Sequence, residues 1–441
     1  AMKLKLLLLT SILFISITSY AQIISSELMA TWSLDEVSDL YDEFGIPESA
    51  SQINYPVDGY KILYMTPDYN GELTICSGAI FLPAGINCPP PLISWQHGTE
   101  SNNEGAPSNV GNSYNDLIGV VCASGGYIVT MSDFIGLGEG EGIHNYMHAQ
   151  TEATATIDLI LYGKEFANDM LGTPTNDQLF LFGYSQGGHA TMATVKEIEA
   201  NYSEELTITA SAPMAGPYSM SEIQSEMLES GLPYPNPGYL PYLIFSYNKI
   251  YNIYEDINDA LISPYNTFLY DMYDGSYDMW EINNTLPSTP IDIFQEDYYQ
   301  EYLNNNNHPL RLALIDNDVY DFVPQSPMRL IHCSGDDNVA YESSELAYNY
   351  FITNGAQNIE LIDGGNFNHE QCASIAILGG KLWIDTYAEL CQPTQVTELN
   401  NQRKKTIINT VDLIGRKTQR DNPFLINIYS DGSHQKKFQT N

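Results

Sequence analysis

One junction constrains the fold more than any other feature. Gly183-Tyr184-Ser185-Gln186-Gly187, with Gly188 behind it, stands between the apolar run 178–182 (QLFLF) and a helical pattern that opens at Gln186. A serine flanked by glycines at a strand-to-helix corner fits a sharp turn in which the two backbones pass close together. The run before it is apolar almost throughout, as a strand covered on both faces must be. Such a junction predicts a parallel sheet with helices on both sides.

The rest of the chain follows the same rhythm. Strands are expected at 60–65, 74–82, 91–96, 126–131, 178–182, 206–212, 328–333 and 359–362, and helices at about 149–166, 186–200, 342–354 and 371–390. Strand–helix alternation of this kind gives a doubly wound, mostly parallel α/β sheet. Residues 217–327 interrupt it. They hold 20 of the chain's 51 aromatic residues but only two basic ones, Lys249 and Arg311. A large insertion between two late strands reads as a cap, whose tyrosines either line a pocket over the site or form the cap's own small core. The expected layout is a signal peptide at 1–21, a first core part at 22–216, the inserted cap at 217–327, a second core part at 328–395 and a C-terminal tail at 401–441.

Charge and cysteines narrow the setting. Residues 2–21 carry two lysines, an apolar stretch and then Ser19-Tyr20-Ala21 in the small-x-small pattern of a cleaved export signal, so the mature chain is expected to start at Gln22. No stable transmembrane segment is expected. The whole chain has 17 basic against 55 acidic residues, a net charge of −38. Residues 22–400 keep only seven of the basic residues, whereas the tail holds eight basic and three acidic ones. So acidic a body repels phosphates, which excludes nucleic acid as a partner. Neither an EF-hand loop nor an HExxH motif is present, and no metal or cofactor is predicted. Six cysteines behind an export signal suggest disulfides, and sequence proximity favours Cys76 with Cys88 and Cys372 with Cys391.

A serine is a poor nucleophile without an adjacent base, and in this kind of sheet the partners follow in the order Ser, acid, His. Five histidines come after Ser185. His189 lies on the helix of the turn itself, His308 in the insertion and His434 in the tail, while His332 inside the run MRLIHC reads as a satisfied core histidine. His369, in the glycine-rich loop 364–369, is left as the base. The acid should follow MRLIHC, in Ser334-Gly335-Asp336-Asp337-Asn338-Val339; Asp336 is the choice, with Asp337 and Asp363 as rivals. Donors for a developing oxyanion are expected from the backbone of Gln186 and from the loop His97-Gly98-Thr99-Glu100, where Thr99 is preferred and Gly98 and Glu100 are the alternatives. His97 precedes the serine and is expected to brace its loop.

Together His97-Gly98-Thr99, Ser132-Asp-Phe-Ile-Gly-Leu-Gly138, Gly183-Tyr-Ser-Gln-Gly-Gly188, the acid turn before Val339 and the late His369 resemble the secretory lipase family, whose fungal members include lipases of the Candida A type. That resemblance covers about residues 55–390. It implies an α/β-hydrolase fold with a large cap inserted before the acid, and a serine carboxylester hydrolase acting on a small-molecule or lipid ester through an acyl-enzyme on Ser185. Where the family places proline after the valine, this chain has Ala340-Tyr341. The tail 401–441, with Phe424–Tyr429 as one of two expected short strands, resembles the sorting signal that carries Bacteroidetes proteins through type IX secretion, which implies that secretion machinery is a partner and the cell exterior the destination. Two other functions share such a site. A serine peptidase of the prolyl-oligopeptidase kind usually carries a propeller, for which the stretch before residue 60 is too short. A non-catalytic, surface-displayed binding module would not need a complete Ser, Asp and His set.

Overall fold

The computed structural model of the chain describes residues 23–47, 51–391, 407–411, 424–429 and 434–438. The expected signal at 2–21 and the tail segment 412–416 lie outside the described residues. Nine strands form one sheet: β1 (Ile23–Trp32), β2 (Val57–Pro67), β3 (Leu73–Pro83), β4 (Leu92–Gln96), β5 (Ile128–Ser132), β6 (Leu179–Tyr184), β7 (Ile208–Met214), β8 (Met328–His332) and β9 (Ile359–Asp363). Their spatial order is β1-β2-β3-β5-β4-β6-β7-β8-β9. From β5 onward every pairing is parallel, whereas β1, β2 and β3 join antiparallel at one end. The chain therefore has the α/β-hydrolase fold, with the eight expected strands in place.

β1 was not expected. Its residues are mostly exposed, because it lies at the sheet edge and pairs only with β2. An edge strand without a buried face lacks the alternation by which strands are recognised. After it comes the helix Leu34–Phe44, opened by a capping box between Ser33 and Glu36 and closed by Gly45 at φ 66°. A left-handed end position of this kind favours glycine.

Two apolar layers cover the sheet. On one face the helices Ala149–Leu171, Gln186–Asn201 and Tyr341–Thr353 bring Ile157, Leu159, Met192, Val195 and Phe351 against it. The other face is covered by Leu34–Phe44, Asp116–Gly125 and His369–Asp385, through Tyr41, Val120 and Ile384 among others. Burial of the parallel strands on both sides explains why their sequences are apolar runs.

Between β7 and β8 the chain is helical, with Tyr239–Tyr251 as its longest helix. The aromatics there play both of the roles weighed from sequence. Tyr242, Phe245, Tyr247 and Tyr273 pack into a separate buried cluster that also takes in Ile143, Tyr146 and Met147 from the loop after β5, while Tyr234 and Tyr239 line a cavity. No helix among the described residues is long and apolar enough to cross a membrane.

The disulfides differ from those expected. Cys88 pairs with Cys391 and Cys333 with Cys372, and Cys76 and Cys122 are buried thiols. Extended β3 carries the chain roughly 24 Å from Cys76 to Pro83. Similarly, the helix from Cys372 to Asp385 rises roughly 20 Å before the chain turns toward Cys391. With a strand or a helix of this length between its two cysteines, neither expected pair forms, and the cysteines at 88, 391, 333 and 372 bond across the fold instead.

Residues 392–441 form a unit of their own. Its three strands, β10 (Ile407–Val411), β11 (Phe424–Tyr429) and β12 (His434–Phe438), make an antiparallel sheet in sequence order. This is one strand more than the two expected, since Lys436 and Lys437 belong to β12 rather than to the end of a turn.

Candidate active site

Ser185 follows β6 directly, in a conformation that side chains rarely adopt, φ 62° and ψ −121°. Its neighbours explain how the turn is tolerated. A Cβ on Gly183 would lie 2.3 Å from the Gly187 carbonyl oxygen, and one on Gly187 only 1.9 Å from that of Gln96. No larger residue fits between β4, β6 and the following helix. The turn lifts Ser185 out of the sheet and points the first turn of the helix Gln186–Asn201 at it, and the opening N–H groups of a helix have no partner inside it.

Two loops bring the other groups. His369 opens the helix His369–Asp385, whose N-terminus is fixed by a capping box between Asn368 and Gln371. Its Nε2 lies 2.9 Å from Ser185 Oγ, and its Nδ1 lies 2.6 Å from Asp336 Oδ2. With Nδ1–H donating to the carboxylate, Nε2 is left to accept the serine proton. Asp336 sits in the turn after β8, where its Oδ1 accepts from the N–H groups of Asn338 and Val339 at 2.9 and 2.8 Å. Burial alone would raise the Asp336 carboxyl, but hydrogen bonds from His332 and His369, and the attraction of both rings, outweigh it and hold the group well below the usual carboxylate range.

The rival acids are engaged elsewhere. Asp337 accepts from the backbone N–H of His369 at 3.2 Å, and Asp363 accepts from Ser334 and Gly365 N–H. Both brace the loops around the site. The disulfide Cys333–Cys372 ties the same loops together, joining a residue three before Asp336 to one three after His369. Tyr184 adds a further brace: its hydroxyl donates to the His369 carbonyl at 2.6 Å and its ring lies 4.9 Å from the imidazole.

The loop after β4 runs beside Ser185. A Cβ on Gly98 would stand 4.0 Å from Ser185 Cβ. Thr99 Oγ1 is 2.9 Å from the hydroxyl of Tyr146, while His97 is buried with its ring nitrogens facing the carbonyls of Gly98 and Asp133. Underneath lies a network with no plain sequence signal. The Gln186 amide donates to Glu152 Oε1 and to His144 Nε2, and Glu152 Oε2 is 2.7 Å from His189 Nδ1. Glu152 belongs to the helix after β5, more than thirty residues upstream, and only the fold reveals that it supports the elbow.

Beside Ser185 lies a narrow cavity of about 40 Å³ lined by Ser185, Gln186, Tyr146, Tyr234, Tyr239 and Val339 among others. A second, apolar cavity of about 30 Å³ shares Met220, Gln224 and Leu243 with it and ends among Phe294, Tyr298 and Tyr302. Sequence reasoning offered the tyrosines of the segment, Tyr234 and Tyr239 among them, as lining or core without separating the two, because its short helices carry no regular pattern that distinguishes a lining face from a packed one.

No protein-family model and no curated protein matches the chain. Solved structures do. A Legionella pneumophila protein assigned to the hydrolases matches with a TM-score of 0.75 at 26% identity, over 82% of this chain and 97% of its own. The rice cell wall degrading esterase LipA from Xanthomonas oryzae matches with a TM-score of 0.72 at 29% identity, over 83% of this chain and 98% of its own. Candida antarctica lipase A in its closed state, at 17% identity and a TM-score of 0.61 over 83% and 81% of the two chains, shares the fold. The chain is thus similar in architecture to the Legionella protein and to LipA along nearly their whole length, and to the lipase over about four fifths of it.

Proposed function

We propose that the protein is a serine carboxylester hydrolase with Ser185 as nucleophile, His369 as base and Asp336 as acid. The observation that carries this reading is the unbroken line from Ser185 Oγ through His369 to the Asp336 carboxylate, at 2.9 and 2.6 Å. Ser185 gives its proton to His369 Nε2 as Oγ attacks the ester carbonyl, and Asp336 stabilises the imidazolium that forms. Negative charge on the carbonyl oxygen is met by the N–H of Gln186 and a donor at Thr99, worth about 3–4 kcal/mol each in comparable sites. Collapse expels the alcohol with the proton from His369 and leaves an acyl group on Ser185. Water then repeats the sequence, giving up a proton to His369 as it attacks, and the acid leaves.

The helical segment 217–327 acts in this reading as a cap, with the acyl part of the ester lying between Met220 and Leu243 toward the apolar cavity. Ester rather than amide chemistry is supported by the likeness to LipA, a cell wall degrading esterase, so wall-linked esters join lipid esters as substrates to test. Residues 1–21 are read as an export signal on their lysines, apolar run and small-x-small end, and 401–441 as an address for type IX secretion on the resemblance of the tail to such sorting signals. The test is hydrolysis of nitrophenyl esters of increasing acyl length beside an aminoacyl-proline amide. Turnover of the esters with negligible amide cleavage is expected, with an optimum beyond acetate; preference for the amide would favour the peptidase, and no turnover of either the binding module.

A further inference from the structure

Asp336 serves two imidazoles, not one. His332, the last residue of β8, is fully enclosed. Its Nε2 lies 3.2 Å from Asp336 Oδ2 and 3.2 Å from the Val339 carbonyl, and its Nδ1 lies 2.7 Å from Ser344 Oγ. Nε2 faces only acceptors, so it must carry the hydrogen, and the Ser344 hydroxyl is free to rotate and donate to Nδ1. Oδ2 of Asp336 therefore receives His369 Nδ1–H on one side and His332 Nε2–H on the other, while Oδ1 takes the N–H groups of Asn338 and Val339. Val339 is gripped at both ends, its N–H by Asp336 and its carbonyl by His332. One ring thus spans the whole turn that presents the acid.

We propose that His332 is a positioning residue for ester hydrolysis, holding the Asp336 carboxylate in register with His369 and sharing its negative charge. This rests on the serine hydrolase reading and adds a fourth member to its hydrogen-bonded line. An arrangement Ser185–His369–Asp336–His332 has a consequence for pH. A carboxylate that is also bonded to His332 stabilises protonated His369 less than one that is not, because its charge is partly satisfied. Removal of the His332 donor concentrates that charge on His369, so the acid limb of kcat/KM should move to higher pH. Other titratable groups surround the pair: Asp337 from the acid turn, Asp363 at the end of β9, Tyr184 from β6, Tyr234 and Tyr239 from the segment after β7, and Tyr341 whose ring lies 5.4 Å from His332. All are unchanged in the variants below and contribute equally to each profile.

Three substitutions separate the roles of the ring. His332→Phe removes all three polar contacts, His332→Asn reaches only toward Ser344, and His332→Gln carries an amide nitrogen to the place of Nε2. His332→Phe should lose roughly ten- to a hundredfold in kcat, as expected for a hydrogen bond to a charged group, with KM little changed and the acid limb displaced upward by about half a unit or more. His332→Gln should recover most of the loss and restore the limb, whereas His332→Asn should resemble His332→Phe. An unmoved acid limb in His332→Phe, or rescue by Asn equal to that by Gln, would overturn the proposal and leave a packing role. Imidazole ¹⁵N spectra of the unaltered protein give a reading that needs no variant to fold: His332 must appear with its hydrogen on Nε2, and a ring protonated on Nδ1 alone would contradict the assignment. Ester turnover that survives Ser185→Ala would instead sink the hydrolase reading, and would leave the tautomer result untouched.

Discussion

At the scale of single residues, the carboxylates around His369 divide the work by which atoms they face. Asp336 meets the ring, Asp337 the backbone N–H of the same residue, and Asp363 the amides of Ser334 and Gly365. Asp336→Asn should cost roughly 10⁴ in kcat by permitting the wrong imidazole tautomer; Asp337→Asn should cost far less, since it keeps an acceptor for the His369 N–H, and parallel kcat measurements check both. The depressed Asp336 carboxyl also carries a stability term with a definite sign. Its folded value lies below the ordinary 3.8, so the stabilisation is present above about pH 4 and is lost as pH falls through the folded value. Melting curves should show wild type and Asp336→Asn differing most near neutrality and converging in strong acid. The choice among these acids was legible because Val339 and the end of MRLIHC frame the turn. By contrast, the partner of His332 was not, since a buried strand histidine looks alike in sequence whether it bonds a hydroxyl, a carbonyl or an active-site carboxylate.

At the scale of elements, local pattern told most about segments that pack on both faces. β6 and its helix were plain because an apolar run, a glycine-flanked serine and a helical pattern follow one another within a short stretch, and each glycine there answers a close approach of backbone. β1 was hidden by its exposed edge position. Disulfide pairing was hidden for a different reason: it depends on which loop ends the sheet brings together, and sequence proximity misleads when a full strand or helix lies between two cysteines. The observed Cys333–Cys372 bridge closes a loop 39 residues apart in sequence and clasps the acid turn to the base helix. A loop of that size is worth about 3–4 kcal/mol in the chain-entropy account. Replacing both cysteines by serine should lower the melting temperature and reduce kcat more than it alters KM, because the Asp336–His369 geometry loosens while the cavity walls stay. Unchanged kcat in a destabilised double variant would show that the clasp serves folding alone.

At the scale of the whole molecule, an acidic body and a basic C-terminal unit are joined in one chain. The proposed catalytic groups all lie in the first unit, within residues 99–369, so the second is not needed for chemistry in this account. Mass spectrometry of the protein exported by its native host should find neither residues 2–21 nor most of 401–441; an intact C-terminus on extracellular protein would contradict the address reading. The doubly wound sheet was legible because burial on both faces writes itself into composition, whereas the cavities between β7 and β8 were not, because they arise from how many short helices meet. What unites the two scales is the placement of one serine in the wall of the first of those cavities, and its role can be tested on the serine itself. Incubation with an alkyl fluorophosphonate, followed by peptide mass analysis, should add one phosphonyl group at Ser185, abolish ester turnover in step with labelling, and fail to label Ser185→Ala. A protein that keeps full ester turnover when fully labelled, or that is labelled at another residue as its activity disappears, would contradict the account.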